Sequence, residues 1–280
     1  MLTRLFDQIS QNHRSFRRLI LTCVPVLAVA LTGCAGKKKE EYAERPVEEI
    51  YNEAIDSMQD QRYADSTEKF DEVERQHPYS VWATKAQIMA AYAYYQANRY
   101  DDAIVALDRF IQLHPANKDI SYAYYLKALS YYEQISDVDR DQKMTQLALS
   151  SLRELVTRFP NSKYARDATL KLDLTYDHLA GKEMEIGRYY HQQGHYLAAI
   201  NRFKLVVSEY QTTTHVPEAL HRMTEAYYAL GLPGEAKKFA AVLGHNFPGS
   251  EWYIDSYEMM EKKKVRQTKE ADSSWYEIWK

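Results

Sequence analysis

The stretch RYDDAIVALDRFIQLHP, residues 99–115, decides the fold. Its apolar residues recur every three or four positions, the spacing that gives an α-helix one apolar face. Ala103 is followed four positions later by Leu107, and Pro115 closes the segment. A small residue lets two helices approach closely, a larger one fills the space a turn later, and proline ends a helix. The stretch therefore predicts the second helix of a helical hairpin.

Four other segments carry the same pattern, at 62–78, 144–160, 195–211 and 232–248. The small position is occupied by Ser66, Ala103, Ala148, Ala199 and Ala236. The larger position is occupied by Phe70, Leu107, Leu152 and Phe203, with Ala240 as the exception. Each segment follows another helical stretch. The sequence thus predicts an all-α fold over residues 46–250, a right-handed superhelix of about five tetratricopeptide-like hairpins.

Two irregularities interrupt the repeat. The third unit carries about eight extra residues around 136–141, and an additional helical stretch at 164–181 is expected to continue into the next helix.

The composition argues against some classes of partner. Glycine is scarce, with 9 residues, whereas tyrosine is plentiful, with 24. So few glycines leave little material for the glycine-rich loops that bind phosphate groups. The net charge of −3 gives no reason to expect nucleic acid as a partner.

The first 33 residues have the composition of a signal peptide. A basic start precedes thirteen apolar residues at 19–31, too few to cross a bilayer core. The sequence LTGC at 31–34 then resembles the lipobox of bacterial lipoproteins, in which the cysteine thiol takes the lipid. We expect Cys34 to be the lipid attachment site, with residues 34–45 as a flexible tether. The alternative is an ordinary secretory signal with a chance cysteine.

The sequence contains no motif of a known catalytic or metal site. HExxH, GxSxG, Walker A and GxGxxG patterns are all missing. His191 and His195 have the spacing of metal ligands, but Gly194 and a predicted helix end separate them. We therefore expect a non-enzymatic protein that holds neither a metal nor a cofactor.

Tyrosine pairs occupy equivalent places in several units. They are Tyr94–Tyr95, Tyr131–Tyr132 and Tyr227–Tyr228. The first member is the packing position, and the second is turned about 100° around the helix, toward the concave face of such a stack. Candidate residues of a peptide groove are Tyr92, Tyr95, Tyr132 and Tyr228. The alternative is that both members of each pair are buried between helices.

The last segment, residues 251–280, is expected to be a helix followed by a basic and aromatic tail. Residues 261–270 are rich in lysine, and SSWYEIWK at 273–280 contains two tryptophans and a tyrosine. Docking to a partner, contact with a membrane surface and a disordered tail all remain open.

Several motifs together resemble the BamD family of lipoproteins, which belong to the outer-membrane β-barrel assembly machinery. They are YAYYQANRYDDAIVALDRFIQLHP (92–115), ISYAYYLKAL (120–129), DVDRD (137–141), FPNSKYARDATLKL (159–172) and GRYYHQQGHYLAAINRF (187–203). The resemblance implies a scaffold anchored by lipid on the periplasmic face of the outer membrane. It implies that the C-terminal repeats bind the POTRA region of BamA and that an N-terminal groove receives unfolded outer-membrane protein precursors. Other lipoproteins of the complex are implied as further partners.

The same resemblance assigns two residues to the BamA contact. Arg202 matches the family's arginine there, with Asn201 beside it. Without the resemblance, Arg202 would be taken as a solvated helix residue. The acidic loop at 139–141 is expected to order itself rather than bind a ligand. The alternative function is an envelope lipoprotein that scaffolds another complex, such as the peptidoglycan synthesis or division machinery.

Overall fold

A computed structural model describes residues 44–138 and 140–261. The predicted signal peptide, Cys34, the tether as far as residue 43, Asp139 and the tail at 262–280 lie outside the described residues. The described part contains eleven α-helices: α1 (Val47–Gln59), α2 (Tyr63–Gln76), α3 (Val81–Gln96), α4 (Tyr100–Leu113), α5 (Ile120–Tyr132), α6 (Lys143–Arg158), α7 (Ala165–Gln192), α8 (Tyr196–Glu209), α9 (Val216–Ala229), α10 (Pro233–Asn246) and α11 (Glu251–Glu261).

The first ten helices form five hairpins, and α11 packs on the last of them. The residues that the repeat pattern places at the small position, Ser66, Ala103, Ala148, Ala199 and Ala236, are all completely buried. The larger residues Phe70, Leu107, Leu152 and Phe203 are at most 1% exposed. The predicted all-α solenoid is confirmed, since the sequence pattern marks the positions at which consecutive helices touch.

Four of the hairpins make the same turn. In each of them, the residue two positions after the end of the first helix has a left-handed backbone. The second helix begins two positions after that residue. These residues are Gln61 (φ 60°), Asn98 (φ 57°), Gly194 (φ 76°) and Gly231 (φ 74°). The next backbone N–H donates to the carbonyl five residues before it, as from Arg99 to Tyr94 at 2.9 Å. This bond satisfies a carbonyl that the helix end would leave unpaired.

The second helices also end alike. The residues after their last turns, His77, His114, Phe159, Tyr210 and Phe247, have φ between −123° and −133° and ψ between 44° and 57°. Proline follows four of them, and proline disfavours the helical conformation in the residue before it. Tyr210 takes the same conformation although Gln211 follows it, so the packing of the hairpins also favours this ending.

The third and fourth hairpins depart from the regular repeat as the sequence predicts. A ten-residue loop joins α5 to α6, where the extra residues fall. The helix α7 is unbroken over 28 residues. Its N-terminal part packs through Ala168 beside Leu152 and Leu155, and its C-terminal part packs through Met184 beside Phe203. A single helix thus belongs to two neighbouring cores.

Within residues 44–138 and 140–261, no helix combines the length and the apolar character needed to cross a membrane.

Candidate peptide groove and partner-binding face

Five half-buried tyrosines form a continuous group, here called the tyrosine row. They are Tyr92 and Tyr95 on α3, Tyr122 and Tyr125 on α5, and Tyr164 just before α7. The ring of Tyr164 lies 4.9 Å from that of Tyr125, in a stacked arrangement, and 5.4 Å from that of Tyr122. Tyr92, Tyr95 and Tyr122 pack against the same buried cluster. The row therefore crosses the first helices of the second and third hairpins and reaches the start of the fourth.

Acidic residues accept hydrogen bonds from the row. The Tyr125 hydroxyl donates to Asp167 Oδ2 at 2.6 Å, and the Tyr95 hydroxyl donates to Glu133 Oε1 at 3.3 Å. Burial, together with Glu133, raises the pKa of Tyr95 to about 12. Burial and the bond to Asp167 also raise the pKa of Tyr125. The phenols are thus protonated at neutral pH, and the row offers aromatic surface with polar hydroxyls.

The structure brings together some of the tyrosines that the sequence singled out. Tyr92 and Tyr95 belong to the row. Tyr132 is half-buried at the end of α5, with the Lys171 ammonium 5.3 Å above its ring. Tyr228 lies on α9, outside the row, and is 39% exposed. The groove therefore stays a prediction, centred on the second and third hairpins.

Sequence reasoning missed Tyr122, Tyr125 and Tyr164. A signal for two of them was present, because the tetrapeptide YAYY occurs at both 92–95 and 122–125. In each copy the first and last tyrosines are three residues apart and share one face of the helix. No comparable signal marks Tyr164, which joins the row only through the packing of α7 on α5.

Arg202 lies on α8 and faces α7. Its Nη1 donates to Glu183 Oε2 at 3.0 Å, while 41% of its side chain remains exposed. Glu183 is more buried, with 17% of its side chain exposed. Asn201 is exposed beside it. Because a guanidinium has five N–H donors, the bond to Glu183 leaves donors for a partner carboxylate.

A buried network connects α9 to α11. His221 is 5% exposed, and its ring nitrogens lie 2.8 Å from Ser256 Oγ and 3.4 Å from Glu225 Oε1. Burial alone would raise the pKa of Glu225, but hydrogen bonds from His221 and Arg222 outweigh it and hold the pKa at about 2. The Trp252 ring covers both His221, at 5.2 Å, and the Arg222 guanidinium, at 5.3 Å. The network fixes α11 against the fifth hairpin.

In the part of the chain that the structure describes, no group of three or more His, Cys, Asp or Glu residues is arranged to hold a metal ion. His191 lies on the last turn of α7 and His195 lies beyond Gly194, which has a left-handed backbone. Burial lowers the pKa of His191, whose Nε2 lies 3.9 Å from Glu225.

Comparison with known proteins gives consistent matches over most of the chain. The family described as YfiO, an outer membrane lipoprotein, matches residues 43–243. Outer membrane protein assembly factor BamD of Caulobacter vibrioides is 49% identical over 89% of this chain and 83% of its own length. The BamD protein of Rickettsia prowazekii is 47% identical over 86% of this chain and 96% of its own. Among solved structures, the TPR domain of P58(IPK) is 16% identical with a TM-score of 0.40, covering 82% of this chain and 63% of that one.

Proposed function

Since the chain belongs to the YfiO family of outer membrane lipoproteins, with BamD proteins among its relatives, we propose that it is the scaffold of a β-barrel assembly complex. In this role it binds a BamA-like barrel protein, other lipoproteins of the complex and unfolded outer-membrane protein precursors. The observation that carries the proposal is the 49% identity to a BamD protein over 253 residues. The alternative role in peptidoglycan synthesis or division finds no support among these relatives.

The proposed anchor is a lipid on Cys34, after removal of residues 1–33. One lipidated terminal residue would hold the solenoid at the periplasmic face of the outer membrane without a spanning helix. Residues 34–45 would then act as the tether between the lipid and the first hairpin, and residues 46–250 as the binding solenoid.

The tyrosine row is the proposed site for unfolded precursors. Two aromatic rings in contact contribute about 0.5–1.5 kcal/mol of binding free energy, in addition to the contribution of the apolar surface that they bury. Barrel precursors alternate apolar and polar residues, so an extended segment can present its aromatic side chains to one surface. The Tyr95 hydroxyl, whose hydrogen goes to Glu133, would then accept a hydrogen bond from a backbone N–H group of the segment. No chemical step is involved, and binding alone would do the work.

Arg202 is the proposed contact with the BamA-like partner. Its guanidinium is already oriented by Glu183, which limits the side-chain entropy lost when a partner carboxylate binds. Asn201 lies beside it on the exposed side of α8 and supplies an amide.

Co-purification from detergent-solubilised outer membranes tests this contact. The wild type is compared with Arg202→Glu and with Lys204→Glu, which makes the same charge change at an exposed position of the same helix. We expect the barrel partner to be lost with Arg202→Glu and kept with Lys204→Glu. Circular dichroism checks that both variants fold.

The double variant Arg202→Glu/Glu183→Arg separates binding from folding, because it restores an intramolecular ion pair in reverse. Loss of the partner from this variant supports a direct contact. Recovery of the partner would mean that Arg202 only holds α7 to α8, and it would overturn the assignment.

The groove is tested with a labelled peptide from the C-terminus of a barrel precursor. We expect Tyr122→Ala to weaken binding about tenfold or more, as removal of a central aromatic anchor does. Tyr189→Ala, which removes a 60% exposed tyrosine of α7, is the control. Equal weakening by both variants would contradict a role for the row.

A further inference from the structure

A second groove lies between the second helices of the first two hairpins, and we call it the outer groove. It is lined chiefly by Asp71 and Glu74 of α2, Tyr94 of α3, and Val105, Ala106 and Arg109 of α4. Its volume of about 500 Å³ lies in the range of known ligand pockets. None of these residues belongs to the tyrosine row or to the Arg202 contact.

The basic residues of the outer groove already have acidic partners. Arg109 contacts Glu74, and Arg75 contacts Glu72. Arg99 Nε donates to Asp102 Oδ2 at 2.7 Å, so that acid is paired as well. A negatively charged ligand would have to compete for these arginines. The groove is therefore poorly suited to bind an anion.

Asp71 differs from the other acids of the groove. Its carboxylate accepts one hydrogen bond, from the Tyr94 hydroxyl at 3.2 Å. Within the described residues it forms no ion pair, although Arg109 and Arg99 act on it from a longer distance. Desolvation by the surrounding side chains outweighs these effects and raises the pKa of Asp71. A cation placed at this carboxylate would stabilise its charged form.

One wall of the outer groove presents apolar surface. Val105 is 69% exposed beside Ala106, and Pro78 lies at the edge, next to the fully exposed Tyr79. A carboxylate beside aliphatic surface matches a long basic side chain, whose stem is apolar and whose head is charged. Arginine suits the site better than lysine, because its planar fork binds a carboxylate through two N–H groups and is less strongly hydrated.

We propose that the outer groove binds a partner protein through one arginine, with the guanidinium on Asp71 and the stem along Val105 and Ala106. The partner segment carries aliphatic residues on either side of this arginine, which cover the apolar wall. The site is independent of the precursor groove and gives the scaffold a further docking surface on its first two hairpins.

Fluorescence anisotropy tests the proposal with the full-length protein in detergent. The probes are dye-labelled pentapeptides GLRLG, GLKLG and GLELG. We expect GLRLG to bind saturably, GLKLG to bind more weakly and GLELG not to bind. Asp71→Asn should weaken GLRLG binding about two- to fivefold, as expected when an exposed ion pair is lost.

Glu68→Gln is the matched control, because it removes an exposed carboxylate from the same helix outside the outer groove. Val105→Asn, which makes the apolar wall polar without adding charge, should also weaken binding. Absence of saturable binding to the wild type, equal binding of GLRLG and GLELG, or equal affinity in Asp71→Asn would each overturn the proposal. If sedimentation shows a dimer that Val105→Asn disrupts, the occupant is a second copy of the chain and the proposal fails.

Discussion

Replacing Gly187 by alanine places a methyl group where α7 crosses α8. A Cβ atom at this position would lie less than 3.0 Å from three ring atoms of Phe203. Carbon atoms in contact are normally about 3.5–4.0 Å apart. Phe203 is completely buried in the core of the fourth and fifth hairpins, so its ring has no solvent into which it can move. The steric clash between the new methyl group and the Phe203 ring can therefore be relieved only if α7 and α8 move apart.

The size of the effect follows from two opposing contributions. A glycine-to-alanine change inside a helix normally stabilises it by about 1 kcal/mol. Overpacking a core costs about 1–3 kcal/mol, and a clash with three atoms of a buried ring lies at the upper end of this range. We therefore expect Gly187→Ala to lower the free energy of unfolding by about 2 kcal/mol, opposite in sign to helix propensity.

Urea unfolding followed by far-ultraviolet circular dichroism measures this loss. Gly234→Ala on α10 is the control, because a Cβ there meets no atom within 4 Å, and this variant should gain a few tenths of a kcal/mol. Phe203→Leu in the Gly187→Ala background should be less destabilising than Phe203→Leu alone, since the smaller side chain makes room for the methyl group. If Gly187→Ala is as stable as the wild type, the close crossing of α7 and α8 is wrong.

Three further predictions concern stability. Gln61→Gly should raise the free energy of unfolding by about 0.5–1 kcal/mol in urea, because Gln61 has a left-handed backbone at φ 60°; a loss would contradict the turn geometry. Tyr125→Phe should lower it by about 1–2 kcal/mol by removing the hydrogen bond to Asp167, and an unchanged midpoint would argue against that bond. The pKa of Glu225 in the folded protein, about 2, is below the ordinary value of 4.5. The stabilisation that ionised Glu225 gives the folded state is therefore complete above pH 4.5 and is lost as the pH falls toward 2. Glu225→Gln should flatten this part of the pH–stability profile, and a profile identical to that of the wild type would show that other groups cause the acid sensitivity.

The sequence predicts the hairpins well because their signals are local. The helical period and the small residue at each close contact, such as Ala103, are visible within about fifteen residues. Contacts between hairpins are different. Tyr122 meets Tyr164 only after the intervening α6 and its long loop have set the position of α7. The pairing of Arg202 with Glu183 likewise depends on how α7 and α8 cross. The helical periodicity of the sequence does not determine this crossing.

The 28-residue helix α7 has a consequence for how the protein unfolds under force. A helix of this length is about 42 Å long. In an ordinary repeat protein each unit is separated from the next by a turn, so units can come apart one at a time. Here α7 contributes Ala168 to one core and Met184 to the next, with no turn between them. Pulling the chain from its two ends should therefore rupture the third and fourth hairpins in one step.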